Sequence, residues 1–203
     1  MITVAIQAGG ESRRMGRDKG LVLFLGKPLI TRVLERLSPI ADEILITTNN
    51  LEGYRFLGVP LFSDQVTGRG ALGGLYTALI AAQQPNVAVV ACDMPFVNAR
   101  LLAAQHERLL EKMCDIVIPD NGEGLEPFHA VYRREACLPY IKTAIDEGEW
   151  RVDAWFSQVK LETYSKTEIV KFDPELLCFI NVNTEEELIE AELLAAKTNS
   201  RKV

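Results

Sequence analysis

The chain has 203 residues, enough for one full α/β domain and too few for two ordinary ones. Hydrophobic residues make up 48% of it, so a sizeable core can be buried, yet no apolar stretch is long enough to cross a bilayer. A formal net charge of −6 argues against a long polyanionic partner such as nucleic acid.

Apolar runs and helical periods alternate along the chain. Thr3–Gln7 is a short β-branched run and predicts a buried strand rather than a signal peptide. A Gly- and Arg-rich loop follows from Ala8 to Lys19, and Pro28 is placed to open a helix through Leu29, Ile30, Val33, Leu34 and Leu37. Strands are expected at Glu43–Thr48 and Val59–Ser63, and a helix behind a Gly-rich entry at Gly73–Ala82. Val87–Ala91 is wholly apolar, as a central parallel strand should be. A helix over Ala99–Met113 has Asn98 as its N-cap, and a strand at Asp115–Ile118 stops at Pro119. Asn121-Gly122-Glu123-Gly124 is a turn; a strand resumes at Ala130–Tyr132 and a helix at Ala136–Glu147. Thr184 and Glu187 make a capping box for a last helix over Glu185–Ala196, beyond which Lys197–Val203 is expected to fray. With no repeat or linker, residues 1–196 read as a single domain with a mostly parallel sheet and helices on both faces, whose ligand crevice lies at the carboxyl ends of the strands.

The four cysteines, Cys92, Cys114, Cys137 and Cys178, match no zinc spacing and form no C-x-x-C pair. They read as buried reduced thiols of a cytoplasmic protein. The two histidines, His106 and His129, stand at no ligand spacing.

The most informative segment is the loop after the first strand, Gln7-Ala8-Gly9-Gly10-Glu11-Ser12-Arg13-Arg14-Met15-Gly16-Arg17-Asp18-Lys19. Adjacent glycines let backbone N–H groups approach phosphate oxygens. Four cations, Arg13, Arg14, Arg17 and Lys19, fall within seven residues of an otherwise acidic chain, which is the concentrated positive charge a triphosphate needs. The pattern is neither a Walker A loop nor a dinucleotide fingerprint. Asp93, directly after the apolar Val87–Ala91 strand, is a hard oxygen donor where a magnesium ion beside phosphates would be held.

Ala8-Gly9-Gly10-x-Ser12-x-Arg14-Met15-Gly16-x-Asp18-Lys19 resembles the N-terminal motif of the molybdenum cofactor guanylyltransferases, also called molybdopterin-guanine dinucleotide synthases. The family usually has Leu where this chain has Gln7, and some members carry one more residue before Asp-Lys. Asp64 with the following Gly68–Leu75 segment, Ala91–Phe96 and Phe179–Thr184 resemble further family segments in order, so the likeness runs from Gln7 to Thr184.

The resemblance implies a Rossmann-like nucleotidyltransferase fold, with a nucleotide half over about residues 1–100 and an acceptor half over about 101–196. It implies transfer of GMP from GTP to the terminal phosphate of molybdopterin, with release of pyrophosphate. Arg14 and Lys19 are the expected catalytic cations. Gln7, Ala8, Gly9, Gly10, Lys19, Asn49, Asp64 and Asp93 are expected to bind GTP, Asn181 and Asn183 the acceptor, and Asp93 the Mg²⁺. Either Thr47 or Asn49 contacts the nucleoside, and of Asn181 and Asn183 one faces the site while the other caps the helix. His129 is either a plain strand residue or part of the acceptor side. GTP and molybdopterin are the implied partners, with transient contact to cofactor-insertion proteins or molybdoenzymes, and with neither nucleic acid nor membrane. Gly10 and Asp18-Lys19 favour this over a cytidylyltransferase acting on molybdopterin or another small phosphate, whose relatives resemble Ala-Ala-Gly and lack Asp-Lys. A non-catalytic nucleotide-sensing module would have no need of Arg14, Lys19 and Asp93 together.

Overall fold

The structure, a computed structural model, describes residues 1–9 and 18–200. Its spine is β1 (Ile2–Gln7), every residue of which is buried. Because strand side chains alternate, Val4 and Ile6 enter the core on one face and Ala5 the core on the other. The first core packs against α1 (Leu29–Leu37) and α4 (Ala99–Lys112), the second against α3 (Gly70–Ala81) and α5 (Arg134–Asp146). Helices therefore cover both faces. In α1 the fully buried Leu29, Ile30, Val33 and Leu37 form one stripe, each side chain worth about 1.5–3 kcal/mol of burial.

Beside β1 lie β4 (Glu43–Thr47) and β6 (Asn86–Ala91), both parallel to it. A hairpin of β2 (Leu23–Phe24) and β3 (Lys27–Pro28) precedes α1; Leu25 and Gly26 turn it with φ of +49° and +81°. Pro28 is thus the last residue of β3 and the N-cap of α1, one position earlier than expected. After β4 come α2 (Leu51–Tyr54) and β5 (Leu61–Phe62). β7 (Ile116–Pro119), β8 (His129–Arg133) and β9 (Leu161–Tyr164) complete a seven-stranded sheet in the order β5-β4-β1-β6-β8-β7-β9. Only β8 runs against the rest, pairing antiparallel with β6 and β7.

Asn98 caps α4 as expected, its Oδ1 accepting the Leu101 N–H at 3.1 Å. After the short α6 (Lys166–Ile169), α7 runs over Glu185–Ser200, beyond the expected end at Ala196. Its capping box forms as read: Thr184 Oγ1 accepts the Glu187 N–H and Glu187 Oε2 accepts that of Thr184, both at 3.2 Å. All four cysteines are buried and free, and no helix among the described residues is long and apolar enough to cross a membrane.

Candidate active site

Gln7, Thr47 and Ala91 stand level across β1, β4 and β6, so three parallel strands end together at one edge. The pairing continues one residue further, with the Ala8 N–H donating to Thr47 O at 2.8 Å and the Cys92 N–H to Gln7 O at 3.0 Å. This brings the strand ends into a crevice lined by Gln7, Ala8, Gly9, Asp18, Lys19, Ala71, Ala91, Cys92, Asp93 and Phe128. Ala8 and Gly9, from the glycine-rich segment, are among its lining residues.

Asp93 leaves β6 over this edge, and its carbonyl accepts the Val182 N–H at 2.9 Å, which lays the segment before α7 against the crevice. Lys19 comes from the opposite side, at the start of a 3₁₀ turn over Lys19–Leu21. Its Nζ donates to Asp93 Oδ2 at 3.1 Å and to Asn183 Oδ1. The Lys19 and Asp93 side chains are only 27% and 13% exposed. The second carboxylate oxygen, Asp93 Oδ1, is buried and has no hydrogen-bond partner among the described residues. A charged oxygen left in that state costs free energy that a ligand or cation could recover.

Asn183 rather than Asn181 reaches into the site. Asn181 turns its amide back to donate to Phe179 O at 3.3 Å, and the cap falls to Thr184. On the β4 side, Asn49 and Asp64 make a reciprocal pair: Asn49 Nδ2 donates to Asp64 Oδ2 at 2.9 Å, and the Asp64 N–H donates to Asn49 Oδ1 at 3.1 Å. Thr47 is buried beneath them. Gly10 and Arg14 lie outside the described residues.

Gln7 has a second attachment. Its Nε2 donates to Ala71 O at 3.1 Å, tying the end of β1 to the start of α3. The side chain lies against Gly74, where an added Cβ would collide with the amide. Its Oε1 is buried with no partner among the described residues.

His129 is a strand residue. It is fully buried, stacks edge-on with Phe179 at 5.5 Å and accepts the Asn98 N–H at Nε2. Burial pushes its pKa down to about 4, so it stays neutral near pH 7 and is not poised as a base. Glu126, on the loop before β8, has its carboxyl raised to about 7, chiefly by burial and then by Glu123.

Three features were missed in the sequence. Ala71 and Phe128 line the crevice from α3 and from the residue before β8, and neither residue type signals chemistry. Asp18 stood inside the first-loop motif but was given no structural role. Its carboxylate accepts from Tyr54, Asn50 and Gly20, contacts that join residues up to 36 positions apart.

The family model that matches this chain is that of the MobA-like NTP transferase domain, over residues 4–161. A molybdenum cofactor guanylyltransferase of Desulfosudis oleivorans is 33% identical over 192 residues, 94% of either chain. One from Vibrio campbellii is 35% identical over 188 residues, 91% of this chain and 92% of that one. Among solved structures, molybdopterin-guanine dinucleotide biosynthesis protein A from Archaeoglobus fulgidus superposes with a TM-score of 0.84 at 30% identity, covering 96% of this chain and 99% of that one.

Proposed function

This chain belongs to the MobA-like NTP transferase family, and from that premise we propose that it transfers GMP from GTP to the terminal phosphate of molybdopterin, releasing pyrophosphate. The observation that carries the reading is the meeting of Lys19, Asp93 and Asn183 at the carboxyl edge of β1 and β6. Residues far apart in the chain place one cation and two oxygen donors beside a glycine-lined crevice. The guanylyl specificity rests on the named relatives and on the first-loop motif.

The acceptor phosphate is already anionic near neutral pH, so in-line attack on the α-phosphorus needs no general base. The buried, neutral His129 agrees with that. Catalysis is left to alignment and charge neutralisation. The backbone of the Ala8-Gly9-Gly10 segment holds the triphosphate, with Ala8 itself fixed by its N–H bond to Thr47 O; the Asn49–Asp64 pair and Gln7 line the nucleoside side, and Lys19 with Arg14 balances charge on the transferring and leaving phosphates. Of the two asparagines expected on the acceptor side, Asn183 serves it and Asn181 is turned to Phe179 O; both belong to the acceptor half, about residues 101–196, with the nucleotide half over about 1–100.

The donor set fits a magnesium ion. Asp93 Oδ2 and Asn183 Oδ1 already converge on a cation, the Lys19 ammonium, and Asp93 Oδ1 has no partner among the described residues. Mg²⁺ is commonly bound by one or two carboxylates plus substrate phosphates. Asp93 is the residue that would hold it, and the ion would supply neutralisation of phosphate charge. The setting is cytoplasmic, with transient contact to cofactor-insertion proteins or molybdoenzymes and none to nucleic acid or membrane.

The test is a panel of GTP, CTP, ATP and UTP with molybdopterin, scored by pyrophosphate release and product mass. GTP is expected to have the highest kcat/KM. A higher value for CTP moves the chain to cytidylyl transfer, and nucleotide binding without turnover makes it a sensor.

A further inference from the structure

Lys19 enters the crevice on a flexible four-carbon stem, so where its root is fixed decides where its ammonium can go. The root is held on both sides. Before it, Asp18 has both carboxylate oxygens engaged. Oδ1 accepts the Tyr54 hydroxyl and, at 3.3 Å, the Gly20 N–H, while Oδ2 accepts Asn50 Nδ2 at 3.2 Å. After it, Gly20 packs against the Tyr54 ring so closely that an added Cβ would collide with the hydroxyl.

The clamping groups are themselves fixed. Tyr54 is fully buried at the end of α2, and burial raises its hydroxyl far above the usual phenol range, so it keeps the proton it donates to Asp18. Asn50 caps α2, its Oδ1 accepting the Gly53 N–H at 3.1 Å, which orients Nδ2 toward Asp18. Thr48 Oγ1 accepts the Asn50 N–H at 3.1 Å. Asn49, next in the same turn, makes the pair with Asp64.

We propose that Tyr54 and Asn50 clamp Asp18 in order to set the position of Lys19, so that Tyr54 is a positioning residue for the transfer reaction. This rests on the catalytic reading of Lys19 given above. A phenylalanine would fill the same core space; what the tyrosine adds is one hydroxyl, which donates to the carboxylate of the residue next to the catalytic lysine. The turn after β4 thereby serves both ends of the nucleotide, Asn49 on the nucleoside side and Asn50 on the phosphate side.

The experiment is a double-mutant cycle between Tyr54→Phe and Lys19→Met, with kcat and KM for GTP measured separately. Tyr54→Phe is expected to lower kcat about tenfold with KM changed less than threefold, since small misplacements at a reacting centre cost rate at up to about this scale and beyond. In the Lys19→Met background the same change is expected to cost less than about twofold, because the group it positions is gone. Losses that multiply would mark Tyr54 as merely structural and overturn the proposal, as would an unchanged kcat. If Tyr54→Phe does not fold, Asp18→Asn takes its place in the cycle with the same expectations. Reductive methylation of Lys19, read by peptide mass on the nucleotide-free protein, gives an arm independent of turnover. Its rate should rise at least threefold in Tyr54→Phe, and an unchanged rate overturns the clamp. A parent protein with no GTP turnover but a raised methylation rate in the variant would sink the reaction assigned above and leave the clamp standing.

Discussion

Replacing Asp93 by Asn separates the fold from the chemistry at one atom. The amide keeps the side-chain shape, can still offer an oxygen to Lys19 Nζ, and leaves the Val182 N–H bond to the backbone carbonyl intact. The pair it weakens lies between two partly buried side chains, 27% and 13% exposed, and a hydrogen bond to Lys19 survives. The stability cost should therefore be about 1 kcal/mol, a fall in Tm of about 2–4 °C for a chain of this size. The effect on the reaction should be larger, because the anionic oxygen that would hold Mg²⁺ beside the phosphates is lost. Removing one such preorganised contact costs about 10²–10³ in kcat, or about 2.7–4 kcal/mol. The assay is steady-state pyrophosphate release with GTP and molybdopterin over a Mg²⁺ titration, alongside thermal melting of the same preparation. Near-normal turnover at saturating Mg²⁺ would remove Asp93 from the metal role, and a Tm fall of tens of degrees would show that the fold, not the site, depends on it.

The sheet was legible in the sequence where strands are buried on both faces. Thr3–Gln7 is a short β-branched run and Val87–Ala91 a continuous apolar one, and their ends marked the crevice edge within a residue. The elements missed are those whose residues carry little pattern. β9 is Leu-Glu-Thr-Tyr at the sheet edge, a four-residue mix with no clean alternation, and the β2–β3 hairpin offers two residues per strand. The reversed direction of β8 follows from long-range pairing that no local period encodes. At the site, residue type and position found Lys19 and Asp93, because a cation after a glycine loop and an acid after an apolar strand each have a local reason. Other contacts join distant parts of the chain and carry no local signal: Asn183 with Lys19, 164 positions away, and Asn49 with Asp64, fifteen positions on beyond α2 and β5. Gln7 and Gly74 could not be paired from sequence, since the signal is a missing Cβ on one element facing an amide on another.

Lys19→Ala should reduce kcat/KM for GTP by about 10²–10³, the scale of one lost transition-state contact; a change below about threefold, in protein whose Tm matches the parent, would remove the lysine and with it the phosphate-cradle reading of the first loop. Gly74→Ala should destabilise by about 1–3 kcal/mol despite the better helix propensity of alanine, because the new Cβ expels the Gln7 amide. Adding Gln7→Ala should recover most of that loss, and a raised Tm in the single variant would refute the packing argument. The last prediction concerns acid. His129 titrates near 4 in the folded protein and near 6.5 when unfolded, so between these values the unfolded chain binds the extra proton. Its contribution to stability is present above about pH 6.5, falls by about 1.4 kcal/mol per pH unit below that, and levels off below about pH 4, a total near 3 kcal/mol. Glu126, raised to about 7, acts in the opposite sense, favouring the fold as pH drops from 7 toward the ordinary carboxylate range. Comparing the parent with His129→Phe isolates the histidine, because Glu126 and the other carboxylates are common to both. Urea unfolding at pH 7 and pH 5 should show the parent losing about 2 kcal/mol more than the variant. Equal losses would mean that the imidazole already carries its proton in the folded protein, and that Asn98 is not held by a neutral Nε2.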